Sequence, residues 1–69
     1  MFIETYDGEF INLFQVDRIV AFETYTMYKN CIIAELKSKS YLIDTYETMS
    51  DANKELRKLI NKINADYYI

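Results

Sequence analysis

Up to about residue 46 the apolar positions of this chain come in short runs broken by polar ones; beyond residue 50 they return every third or fourth position. Alternation marks half-buried strands, and the longer period marks an amphipathic helix. Phe2-Ile3-Glu4-Thr5-Tyr6 and Glu9-Phe10-Ile11-Asn12-Leu13-Phe14 flank Asp7-Gly8. An Asp-Gly pair suits a two-residue type I′ turn with positive φ at both central positions, so a hairpin is predicted with strands at about 2–6 and 9–14. Leu13, Val16 and Ile19 are then spaced by three, which no strand sustains. A single 3₁₀ turn over about 14–17 is expected there, with the chain re-entering a strand near Arg18.

Asn30-Cys31-Ile32-Ile33-Ala34-Glu35-Leu36-Lys37 is the cleaner alternation, with Ile32, Ala34 and Leu36 on one face. Ser38-Lys39-Ser40 is read as the turn into a strand over about 41–46. Ala52, Leu56, Leu59, Ile60 and Ile63 share one face of a helix predicted over about 50–64, and Lys54, Lys58 and Lys62 line another. Thr48 or Ser50 can cap its start, Asp51 falls in the first turn, and the lysines suit the far end of the macrodipole. Residues 65–69 are read as a short aromatic tail. The expected fold class is α+β: a four-stranded antiparallel meander with one C-terminal amphipathic helix packed on one face, in a single domain.

The stretch "AFETYTMYKN", residues 21–30, admits two readings. With a tight turn at Lys29-Asn30, a strand over about 18–28 pairs with one over about 30–37. Tyr25 then lies across from Ala34, and Met27 across from Ile32. With a strand ending near Glu23 instead, residues 24–30 form a protruding loop tipped by Tyr25, Met27 and Tyr28.

Sixty-nine residues lie near the lower limit for a core without a staple. The aromatic load suggests how the chain manages. Phe2, Phe10, Phe14 and Phe22 can each bury a large area at modest entropic cost, and are expected to contribute to the core. Seven tyrosines exceed what that core needs, since each buried hydroxyl requires a partner. The chain has one cysteine, no proline and one glycine, so no internal disulfide and no linker are expected. A reducing, cytoplasmic setting fits the cysteine usage. The start, Met-Phe-Ile-Glu-Thr-Tyr-Asp, lacks the basic n-region of a signal peptide, and no apolar run approaches a membrane span.

The net charge is −3, distributed unevenly. Residues 1–48 carry eight acids against Arg18, Lys29, Lys37 and Lys39, whereas residues 49–69 carry three against Lys54, Arg57, Lys58 and Lys62. This balance argues against duplex DNA as the partner, for which a basic excess is the rule.

Three segments carry a resemblance: "FINL..V..I" (Phe10-Ile11-Asn12-Leu13 with Val16 and Ile19), "I.AEL" (Ile33 to Leu36) and "YETMSDANKEL" (Tyr46 to Leu56). Together they resemble the small β-meander-plus-helix proteins of low-GC Gram-positive bacteria and their phages. The resemblance covers most of the chain but rests on fold-forming positions, so it transfers no catalytic or ligand residue. The Tyr-rich 24–30 segment and the end Asp66-Tyr67-Tyr68-Ile69 depart from it, and specialised function is expected there.

Catalytic chemistry finds little to work with. The absence of histidine removes the commonest general base and the commonest transition-metal ligand. One cysteine makes no thiolate metal site, and one glycine makes no phosphate-cradling loop. Glu35 and Asp44 could face each other across the last hairpin, but such pairs are usually solvated. Cys31 reads as a small buried hydrophobe rather than a reactive thiol. No enzyme activity and no cofactor are expected.

Tyrosine and methionine give large contact area while tolerating water, so Tyr25, Met27, Tyr28, Tyr67 and Tyr68 are the candidate partner-binding residues. The tail tyrosines could equally pack back over the helix end. The leading expectation is a small binding protein of phage or mobile-element type, acting stoichiometrically to inhibit a host protein, for instance a defence protein. A second is an oligomeric sponge that sequesters a nucleotide signal, with Arg18, Lys29, Lys54 and Lys58 as candidate phosphate contacts. A third is a structural or homo-oligomeric accessory protein, since a meander leaves edge strands open to a second copy.

Overall fold

A strand keeps its ladder only while its side chains and amides have partners on the same neighbour, and this chain changes neighbour at Asn12. The computed structural model describes residues 1–23 and 30–67. Its elements are β1 (Phe2–Glu4), β2 (Phe10–Asn12), a 3₁₀ turn (Leu13–Gln15), β3 (Arg18–Glu23), β4 (Asn30–Leu36), β5 (Lys39–Tyr46) and α1 (Met49–Tyr67). The fold is α+β with antiparallel sheets and a C-terminal helix, but the strands do not form a single four-stranded meander. β1 and β2 make a two-stranded sheet, and β3, β4 and β5 a three-stranded one in that order.

The division is caused locally. Asn12 Oδ1 accepts the Phe14 N–H at 3.1 Å, and the Val16 N–H reaches the Leu13 carbonyl. The chain thus curls into the 3₁₀ turn, close to the position the spacing implies. It re-emerges against β4 rather than β2, with the Asp17 N–H on the Glu35 carbonyl at 2.8 Å.

The two hairpin turns differ from the sequence expectation in an instructive way. Gly8 has φ of +87°, but Asp7 does not have positive φ. Thr5 donates its N–H to the Glu9 carbonyl at 2.7 Å and accepts the Gly8 N–H at 3.0 Å. The loop is therefore the three-residue Tyr6-Asp7-Gly8 type, a turn closed by a left-handed glycine, and not the two-residue type I′. The type I′ geometry occurs instead at Lys37-Ser38, with φ of +52° and +68°, between the paired Leu36 and Lys39. Asp17 Oδ2 accepts the Lys37 N–H at 3.1 Å and holds that turn in place.

The register follows from that turn. Glu35 pairs with Ser40, and Asp44 with Ile32 across an irregularity between Ile32 and Ile33. Glu35 and Asp44 therefore do not face each other, and Asp44 Oδ1 accepts the neighbouring Thr45 N–H. On the other side of β4, Ala34 faces Ile19 and Ile32 faces Ala21. The pairing of Tyr25 with Ala34 and Met27 with Ile32 is thus not the one formed. Tyr25, Met27, Tyr28 and Lys29 themselves lie outside the described residues, as do Tyr68 and Ile69.

Among the described residues the core is small and aliphatic. Ile32, Ala34 and Ala52 are fully buried, with Cys31, Leu13 and Ile11 close behind. Cys31 and Ile32 point to opposite faces of β4 and are both covered, so β4 is the buried centre of the molecule. Complete burial of Ile32 contributes about 1.5–3 kcal/mol. α1 lies against β3, β4 and β5. Ala52 of α1 is fully buried, and Glu55 on the same helix acts electrostatically on Tyr46 at the end of β5. Thr48 is the cap: its Oγ1 accepts the Asp51 N–H at 3.1 Å and its carbonyl the Ala52 N–H. Ile60, placed by periodicity on the inner face, is exposed. The helix also continues to Tyr67, past the expected end at Asn64, because Ala65 and Asp66 offer no glycine or proline to stop it.

The largest correction concerns phenylalanine. All four, expected in the core, are exposed, Phe2 and Phe10 most of all at 69% and 67%. Parity explains the two on the hairpin: Ile3 and Ile11 are paired on its inner face, which puts Phe2 and Phe10 on the outer one.

Candidate functional site

The outer face of the β1–β2 hairpin is built by four residues in register. Phe2 pairs with Asn12 and Glu4 with Phe10, so the two rings lie on one diagonal and the polar side chains on the other. The inner face holds Ile3 opposite the buried Ile11. The platform is well braced. Thr5 is buried, and its Oγ1 accepts the Glu9 N–H at 3.0 Å in addition to the two backbone bonds that close the turn. The Leu13 N–H donates to the Met1 carbonyl at the other end, and the Tyr6 N–H ties the hairpin to Leu42 of β5 at 2.8 Å. A two-stranded ribbon is marginal on its own, and these bonds supply the support that it lacks. Its rings are therefore presented on a fixed backbone.

The electrostatics are one-sided. Residues 1–17 contain Glu4, Asp7, Glu9 and Asp17 and no lysine or arginine. Asp17 is engaged at the Lys37 amide, whereas Glu4, Asp7 and Glu9 form no ion pair among the described residues. Glu4 Oε2 stands over Gly8, close to the turn. The amino group of Met1 sits at the opposite end, 3.5 Å from Asn12 Oδ1. Tyr6, Phe14 and Phe22 add further exposed aromatic surface elsewhere.

The residues singled out by sequence are not brought together among the described residues. Arg18 is exposed at the start of β3, opposite Glu35. Lys58 Nζ pairs with Glu55 Oε1 at 3.1 Å, a solvent-facing i,i+3 bridge of small energetic weight. Lys54 lines an open cavity of about 520 Å³ with Ser50, Asn53 and Arg57, so its cationic companion there is Arg57 and not Lys58 or Arg18. Tyr67 is the last residue of α1. Cys31 is buried with its thiol directed to the Phe22 carbonyl at 3.5 Å, and burial pushes its pKa up from 9.0, the state of an unreactive thiol. Tyr46 is likewise held above its ordinary value by burial, and then by Asp44 and Glu55.

Phe2, Glu4 and Phe10 were missed by composition-based reasoning, which sends phenylalanine inward. A signal was nevertheless present. Within each predicted strand Phe2 shares parity with Glu4, and Phe10 with Asn12, so alternation alone puts the rings on the polar side.

Comparison of the chain with family models, curated proteins and solved structures finds no match. Among the described residues no helix is long and apolar enough to cross a membrane, and no three His, Cys, Asp or Glu side chains group to hold a metal ion.

Proposed function

We propose that this is a small non-enzymatic binding protein of phage or mobile-element type, which acts by stoichiometric binding and inhibition of a host protein, for instance one of a defence system. The observation that carries the reading is the exposure of all four phenylalanines in a chain this short. Exposing rings forgoes burial of about 1.5–3 kcal/mol each, which a domain near the size limit can ill spare unless a partner covers them. Aromatic side chains are enriched in the centres of interfaces for the same reason. On this reading Tyr25, Met27, Tyr28, Tyr67 and Tyr68 extend the contact surface.

The test is capture from a lysate of the bacterial host by immobilised protein, followed by titration of the captured protein's activity. Inhibition complete at one equivalent, and weakened by the Tyr25/Met27/Tyr28 triple-alanine variant, is the expected result. Absence of any specific capture, or capture without effect on the target's activity, would contradict the reading.

One observation favours the sponge as a second reading. The cavity bounded by Ser50, Asn53, Lys54 and Arg57 sets two cations beside two neutral polar side chains, a set able to hold a phosphate. A nucleotide panel that raises the melting temperature of an oligomeric form would support it, with Arg18, Lys29 and Lys58 tested as further contacts. Purely structural self-assembly is the third reading, in which the open outer edge of β3 pairs with a second copy.

A further inference from the structure

The outer face of the β1–β2 hairpin combines the two rings most exposed among the described residues with the Glu4 carboxylate, which reaches toward Gly8, and with Asp7 in the turn. We infer that this face docks a cationic amphipathic segment of another protein, with apolar side chains seated on Phe2 and Phe10 and Lys or Arg side chains meeting Glu4 and Asp7. The inference rests on the binding-protein reading and names the surface and the chemistry of the partner. Three observations lead to it. Phe2 and Phe10 are 69% and 67% exposed and lie diagonally on one face. Glu4 stands directly across from Phe10. No lysine or arginine occurs in residues 1–17, and Glu4 and Asp7 form no ion pair among the described residues.

Charge decides between occupants. A second copy using the same face would form a two-fold, self-complementary contact. That contact would set the Glu4 and Asp7 carboxylates of both copies together with only the Met1 amino group of each copy to offset them, and like charges juxtaposed in an interface are strongly disfavoured. An anionic or nucleic-acid partner meets the same repulsion. An apolar segment flanked by cations satisfies both the rings and the acids. The braced turn favours the event further, because a platform already ordered loses little conformational entropy on binding.

The probe is a fluorescently labelled amphipathic peptide of leucine and lysine, with analogues in which glutamine or glutamate replaces lysine. Binding to the full chain is followed by anisotropy at low and high salt. The lysine peptide should bind, the glutamate peptide should not, and affinity should fall about tenfold between low and high salt. Phe2→Ser with Phe10→Ser should weaken binding at least about tenfold while leaving the circular dichroism spectrum unchanged. Glu4→Lys provides a variant independent of the rings: it should lose the lysine peptide and gain the glutamate one. Equal binding of all three peptides, no binding of the lysine peptide, or a wild-type dimer that the Phe2/Phe10 variant dissolves would each overturn the assignment. Capture from host lysate by the same variants separates this from the broader reading. A target captured equally by wild type and the Phe2/Phe10 variant refutes the hairpin surface alone, whereas no target captured by any of them refutes the binding-protein reading itself.

Discussion

β4 and the β1–β2 hairpin are both antiparallel and both rich in isoleucine, yet they use their faces in opposite ways. β4 is covered on both, with Cys31 on one side and Ile32 and Ala34 on the other. The hairpin hides Ile11 and displays Phe2 and Phe10. The central strand has two neighbours and a helix above it, so whatever it carries is enclosed, and small aliphatic residues allow that enclosure to be tight. The hairpin has one buried side only, and the larger side chains are on the other. Burial in this molecule is decided by position in the topology before it is decided by side-chain size.

The comparison breaks first at Ile32. Ile32→Ala removes a fully buried side chain and should cost about 2–5 kcal/mol, lowering the thermal midpoint by on the order of 10 °C or more. A shift of only a degree or two would mean that the centre of β4 is not the core. On the helix side, Thr48→Ala deletes the cap that holds the Asp51 amide, and should cost about 1 kcal/mol in chemical denaturation. No change in the denaturation midpoint would show that the helix is anchored by packing alone.

The turns sharpen the contrast, because they should respond with opposite signs. Gly8 uses a left-handed φ that suits glycine, so Gly8→Ala should destabilise by about 1 kcal/mol. Lys37-Ser38 uses left-handed φ without glycine or asparagine, so Lys37→Asn with Ser38→Gly should stabilise by about 0.5–1 kcal/mol. Two losses in parallel melts would contradict the turn assignment.

The smallest expected effect is on the alkaline limb. The Cys31 thiol is raised above 9.0 by burial in the folded state. The unfolded chain therefore loses its proton first as pH rises, and the contribution to stability, complete below pH 9.0, is lost through the folded pKa. Tyr46, raised from 10.0, acts in the same direction at higher pH. Melting curves for Cys31→Ala should show a shallower fall just above pH 9.0 than wild type. An identical slope would remove Cys31 from the explanation.

Periodicity alone made several features legible. The 3₁₀ turn follows from the spacing of Leu13, Val16 and Ile19, and the helix from Ala52, Leu56, Leu59, Ile60 and Ile63, although Ile60 is exposed; of the two cap candidates, Thr48 and Ser50, Thr48 takes the Asp51 amide. Three others were hidden for identifiable reasons. The split into two sheets depends on the Asn12 side chain taking the Phe14 amide, a local bond that competes with the ladder and leaves no periodic trace. The Lys37-Ser38 turn violates residue preference and is set by the register around it, helped by Asp17 from a distant segment. The candidate surface was obscured by treating phenylalanine as core material when its parity with Glu4 and Asn12 pointed outward.

Thermal unfolding of Phe2→Ser with Phe10→Ser, beside wild type, decides whether the two rings hold the fold or are displayed to a partner. The midpoint should stay within a few degrees of wild type, since exposed substitutions change stability by about 0.5 kcal/mol or less. A fall as large as that of Ile32→Ala would place the rings in the core and contradict the assignment of this face to a partner.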